Sequence, residues 1–130
     1  MTPTTVTHPA IGVLLGPNVK LALELVYDSA DPWAVRLLVA GREWLFARGL
    51  LASGCNEPAG DGDVQVRPDT GGDLSRVVVA LSSPTGAAEV AVPRGDVESF
   101  LDTAEALVPA GHEYLDWAIE WGRLAGPAAA

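Results

Sequence analysis

From Val19 to Tyr27 every second residue is large and apolar, with Lys20 and Glu24 falling between them. A period of two sustained over such a stretch predicts a half-buried strand. Asp28-Ser29-Ala30-Asp31-Pro32 interrupts it. Asp and Ser side chains bond nearby backbone N–H groups and Pro32 removes a donor, so the chain turns there. The alternation resumes with Trp33, Val35, Leu37 and Val39 on one side, Gly41-Arg42 makes a tight hairpin, and Glu43 to Phe46 returns. Ala47 to Ser53 reads as a short helical turn stopped by Gly54. A loop from Gly54 to Gly62 leads into an alternating Asp63 to Arg67, and Pro68 to Asp73 turns again. Leu74 to Leu81 contains Val77-Val78-Val79, apolar on both faces, which predicts a central strand covered on both sides. Ser82 to Gly86 turns into a last strand, Ala87 to Val92. Turns at this spacing predict an antiparallel meander.

The period then becomes helical. Val97, Phe100, Leu101, Ala104, Leu107 and Val108 share one face. Pro93 suits the helix start, Asp96 and Glu98 complement its positive end, and Pro109 with Gly111 stops it. A second helix is predicted from His112 to Leu124. Tyr114, Trp117, Ala118, Trp121 and Leu124 form one stripe, Leu115, Ala118, Ile119 and Gly122 another, leaving Asp116, Glu120 and Arg123 as a narrow polar strip. Burying its two tryptophans is worth about 7–12 kcal/mol before entropy. Such a helix either inserts deeply into its own domain or is shared with another polypeptide. Tyr114, Trp117, Ile119, Trp121 and Leu124 are therefore candidate protein-interaction residues. Residues 125–130 read as a frayed tail.

At 130 residues, 48% hydrophobic and 19% charged, the chain is one globular domain spanning 1–130. Its net charge of -9 repels a phosphate backbone, and the arginines are scattered singly with Lys20 the only lysine, so no nucleic-acid partner is expected. The single cysteine, Cys55, permits no intrachain disulfide and fits a reducing, cytoplasmic compartment. Neither a basic leader nor an apolar run long enough to insert into a membrane is present.

The search for chemistry returns little. Asp28 and Asp31 are too few for a cation loop and read as turn caps, and Asp61-Gly62-Asp63 lacks the later ligands of a calcium loop. His8 reads as part of a flexible N-terminal segment and His112 as a helix-end residue, so no zinc set assembles. Cys55 lies in a loop with no partner to activate it. Glu98, Asp102 and Glu105 form a solvated helix face. No catalytic residue, cofactor or metal site is assigned, and the chain is not expected to be an enzyme.

Five segments go further. Tyr27-Asp28-Ser29-Ala30-Asp31-Pro32-Trp33-Ala34-Val35, Trp44 to Leu51, Pro58 to Pro68, Ala80 to Gly86 and Val108-Pro109-Ala110-Gly111 resemble, in order and spacing, the motifs of the SsgA-like sporulation and cell-division proteins of actinomycetes. Residues 1–18 match poorly, and the hairpin at Gly41-Arg42 is shorter than usual for that family. The resemblance implies an α+β fold: a strongly bent antiparallel β-sheet, a barrel-like meander with one short helix and two C-terminal helices, Whirly-like, assembled as a homotrimer. Asp28, Ser29, Asp31, Pro32 and Trp33 become its structural turn. It implies a non-enzymatic adaptor at division septa that recruits division or cell-wall machinery, with the tubulin-like FtsZ and other SsgA-like proteins as partners. The alternative carried by Whirly kinship is single-stranded nucleic-acid binding.

Overall fold

The structure, a computed structural model, describes residues 3–60, 62–71 and 75–111. Their order is β1 (Thr5–Leu14), β2 (Val19–Asp28), β3 (Ala34–Val39), β4 (Arg42–Ala47), α1 (Arg48–Gly54), β5 (Val64–Pro68), β6 (Arg76–Ser83), β7 (Gly86–Pro93) and α2 (Arg94–Leu107). The second predicted helix and its aromatic stripe, including Tyr114, Trp117, Ile119, Trp121 and Leu124, lie outside the described residues.

The strands form one antiparallel sheet in the order β4-β3-β2-β1-β7-β6-β5. It is an α+β fold whose sheet is a nearly closed barrel. Two consecutive meanders, β1–β4 and β5–β7, meet only where β1 pairs with β7 at Val13↔Ala91 and Leu14↔Val90. At that crossing Gly12 sits so close to β7 that an added Cβ would stand 2.8 Å from Leu23 Cδ2 and 3.0 Å from the Ala91 carbonyl oxygen. The other flank is bridged by α1, which packs on both β4 and β5. An added Cβ on Gly54 would meet Val66 Cγ1 at 2.3 Å, so the bridge depends on a residue without a side chain.

The antiparallel order brings the β1–β2, β3–β4 and β6–β7 hairpins to one end of the barrel. The β2–β3 turn, α1 and the start of α2 gather at the other. Inside, Leu23, Leu25, Tyr27, Val35, Leu37, Val66, Val77 and Val79 share one core with Val97, Phe100 and Ala104 of α2. Val78 points away from Val77 and Val79, yet all three are buried, as a strand covered on both sides requires.

Three readings of the sequence change. The N-terminal segment read as flexible is the ten-residue strand β1, paired with β2 from Thr5↔Asp28 to Leu14↔Val19. His8 is held there, its Nε2 2.9 Å from Asp96 Oδ1 in the first turn of α2. The β3–β4 hairpin turns on Ala40 and Gly41, one residue earlier than Gly41-Arg42. Both have positive φ, 52° and 74°, as the two-residue turns matching strand twist require. Trp33 does not join the inward row of Val35, Leu37 and Val39. It precedes β3, in the turn, and is 52% exposed.

Candidate protein-interaction surface

The segments singled out in the sequence converge on a buried arginine. Arg48 opens α1, and its Nη1 donates to Tyr27 Oη at 3.1 Å and to the Val108 carbonyl at 2.7 Å. Its Nη2 donates to Glu105 Oε2 at 2.6 Å, and its guanidinium lies 5.5 Å from the centre of the Tyr27 ring. Tyr27 Oη donates in turn to the Pro32 carbonyl at 3.0 Å, and Glu105 Oε2 accepts the Ala110 N–H at 2.9 Å. One side chain thus ties the Tyr27–Pro32 turn, the start of α1 and the Val108–Gly111 helix stop together. Glu105, read as solvated, is 52% exposed but anchored at one oxygen. No composition rule picks out Arg48; its membership in the Trp44–Leu51 motif was the available signal.

The Asp28–Trp33 turn is built unevenly. Asp28 Oδ1 accepts the Ala30 N–H at 2.9 Å, and Ser29 Oγ accepts the Thr4 N–H at 2.9 Å. Asp31 contributes its backbone, donating to the Asp28 carbonyl and accepting from the Ala34 N–H. Pro32 is buried and Trp33 exposed.

The exposed large apolar residues among those described are Ile11, Val19, Trp33 and Leu45. All belong to the β1–β4 half of the barrel. On its outer face the register sets Thr7, Val26, Arg36 and Leu45 in one row, Pro9, Glu24, Leu38 and Glu43 in the next, and Ile11 beside Ala22 beyond. A shallow groove of about 650 Å3 runs over it, with Pro9, Ile11, Ala22 and Leu38 among its apolar lining and Glu24, Arg42 and Glu43 among its charges. Apolar floor with scattered charge suits a protein surface.

The same geometry engages four of the seven Lys and Arg side chains among the described residues. Arg48 holds Glu105, Arg67 Nη1 holds Glu89 Oε2 at 2.7 Å, and Arg76 holds the buried Asp69 through Nε and Nη2 at 3.0 and 2.7 Å. Arg94 donates to the Cys55 carbonyl at 2.7 Å. Among the described residues no group of three His, Cys, Asp or Glu side chains is placed to hold a metal. The Cys55 thiol is buried and donates to the Leu51 carbonyl at 3.4 Å. Burial pushes its pKa up, Arg94 opposing and Glu98 reinforcing the shift, so thiolate is disfavoured. Among the described residues no helix is long and apolar enough to cross a membrane.

Fold and surface together define a small acidic barrel whose most accessible feature is a partly apolar sheet face. The chain belongs to the SsgA family of actinomycete sporulation and cell division proteins: residues 21–113 match the family described as Streptomyces sporulation and cell division protein, SsgA. It is 44% identical over 104 residues to the sporulation-specific cell division protein SsgB of Kineococcus radiotolerans, a match covering 75% of this chain and 63% of that protein's length. It is 45% identical over 95 residues to SsgB of Streptomyces coelicolor, covering 69% of each. The crystal structure of an SsgA-like sporulation-specific cell division protein from Thermobifida fusca superimposes with a TM-score of 0.83 at 34% identity, over 92% of this chain and 93% of that one. The family is one of cell-division proteins, not known as enzymes.

Proposed function

We propose that this chain is a non-enzymatic adaptor in sporulation-specific cell division, marking septum sites and recruiting division or cell-wall machinery through the outer face of β1–β4. The observation that supports this reading is that Ile11 and Leu45, both exposed, lie on that face, with Val19 and Trp33 exposed at the ends of the same half of the barrel. Exposed aromatic and aliphatic anchors beside charged residues are what interface centres are made of. The partners implied by family likeness are FtsZ and other SsgA-like chains, with self-association as a homotrimer.

The Whirly-type alternative, capture of single-stranded nucleic acid, has little to draw on. Such sites need a basic groove with aromatic platforms, whereas Arg48, Arg67 and Arg76 are spent on internal carboxylates. The test is co-sedimentation of purified chain with polymerised FtsZ, alongside titration with a single-stranded oligonucleotide at low and moderate salt. Binding to FtsZ that Leu45→Glu and Ile11→Glu weaken at least tenfold, with no oligonucleotide capture, is the expected result. Tight oligonucleotide binding with a steep salt dependence overturns the proposal.

A further inference from the structure

Among the described residues the hairpin end of the barrel leaves part of the core open. There Leu14 and Leu21 of the β1–β2 hairpin, Trp44 beside the β3–β4 turn, and Leu81 and Val90 of the β6–β7 hairpin line a cavity of about 330 Å3. This volume lies at the small end of the roughly 300–1,000 Å3 typical of small-molecule sites, and barrel mouths are a recurrent place for them. Leu14, Leu21 and Trp44 pack on the core without being fully buried.

The charge of the lining is unlike that of the chain. The protein carries -9 overall, yet among the described residues the lining of this mouth includes no Asp or Glu, and its one ionised side chain is Arg42. The Arg42 guanidinium lies over the Trp44 ring, 5.0 Å from its centre. Among the described residues it has no carboxylate partner, unlike Arg48, Arg67 and Arg76. Stacking on an aromatic face holds a guanidinium in place while leaving its N–H groups free to donate at their edge. Ser83 Oγ and Thr85 Oγ1, 3.0 Å apart, add hydroxyls on the opposite rim.

We propose that this mouth binds a single-chain amphiphilic anion, its aliphatic body against Leu14, Leu21, Trp44, Leu81 and Val90 and its carboxylate on Arg42. An apolar cavity rejects a fully polar anion, and a cation-only rim favours an acid over an alcohol of the same chain. The site lies inside the hairpin end and the groove of β1–β4 on the outer face; Arg42 borders both, so Ala88→Phe in the mouth and Leu45→Glu on the outer face are the variants that tell them apart.

Isothermal titration of the full chain uses decanoate, decanol and decyltrimethylammonium as probes, with phosphatidylglycerol vesicles as a separate arm. The expected result is saturable one-to-one binding of decanoate, weaker binding of decanol and none of the cation. Arg42→Gln lowers decanoate affinity about tenfold, one charge-assisted hydrogen bond, and leaves decanol unchanged. Ala88→Phe, placed at an exposed rim position, abolishes both at unchanged melting temperature, while Leu45→Glu on the outer face has no effect. The proposal is overturned if decanoate does not saturate wild type or if Ala88→Phe binds it undiminished. It is equally overturned if only vesicles bind, or if Ala88→Phe alters nothing but the mass seen by light scattering, which would make the mouth a contact between copies.

Discussion

Replacing Arg48 by Met keeps the aliphatic length and removes the guanidinium that joins three segments. Three losses can be sized. The Val108 carbonyl, in a residue only 4% exposed, loses a 2.7 Å bond, and leaving a buried acceptor unpaired costs about 1–3 kcal/mol. The contact with the Tyr27 ring contributes about 0.5–1 kcal/mol. The Glu105 pair is short, but its carboxylate is 52% exposed and rehydrates, so it is held to at most about 1 kcal/mol. Tyr27 Oη keeps its bond to Pro32. The sum is about 1.5–5 kcal/mol, a large share of the roughly 5–15 kcal/mol that stabilises a typical domain. Urea unfolding followed by tryptophan fluorescence reads it as a fall in midpoint at unchanged slope. Glu105→Gln is the control, expected to cost less than about 1 kcal/mol, and Arg48→Lys should fall between, since an ammonium cannot reach three acceptors in fork geometry. A loss below about 1 kcal/mol for Arg48→Met would refute the picture of one side chain fastening these motifs.

Other consequences follow from single features. Ala40 holds φ at 52° on an exposed turn, so Ala40→Gly should stabilise by about 1 kcal/mol and raise Tm by roughly 3–5 °C; an unchanged Tm would mean the turn is not strained. Asp28→Ala should cost about 1 kcal/mol by losing its bond to Ala30, while Asp31→Ala, whose carboxylate makes no hydrogen bond among the described residues, should stay within about 0.5 kcal/mol. Equal losses in the two melts would contradict that division. Cys55 should react slowly with a thiol reagent until the protein unfolds. Because burial raises its pKa in the folded chain, the unfolded chain loses its proton first. Stability then declines as pH rises past the ordinary thiol value of 9.0 and is full below it; Cys55→Ala should flatten that decline in urea melts.

The elements legible in the sequence were those whose apolar residues alternate in register with the core. β2 and β3 place Leu23, Leu25, Val35 and Leu37 inward, and α2 buries Val97, Phe100 and Ala104. β1 was not legible because its alternation is inverted. Its inward row includes His8, Ala10 and Gly12, small or polar because β7 and α2 come so close, while Pro9 and Ile11 face out. Without β1 the link between the meanders could not be seen in the periodicity, which stopped at a meander; the bent, barrel-like sheet came from the family resemblance. Trp33 was assigned by periodicity to the buried row, but a turn residue escapes strand alternation. Beyond its place in the Trp44–Leu51 motif Arg48 carried no signal, since its partners come from Tyr27, Glu105 and Val108, distant in the chain. The outer-face residues, Ile11 and Leu45 among them, were equally hidden: an exposed Leu becomes meaningful only beside others in space.

On the proposed function, the outer face of β1–β4 receives the division partner. Hydrogen–deuterium exchange of the full chain, free and with saturating FtsZ, addresses it directly. The account predicts slower exchange in peptides from β1, the outer rows of β2 and β3, and β4 around Leu45, with β5 and β6 unchanged. Protection confined to β5–β7, or none at a concentration where the two proteins co-sediment, would contradict it.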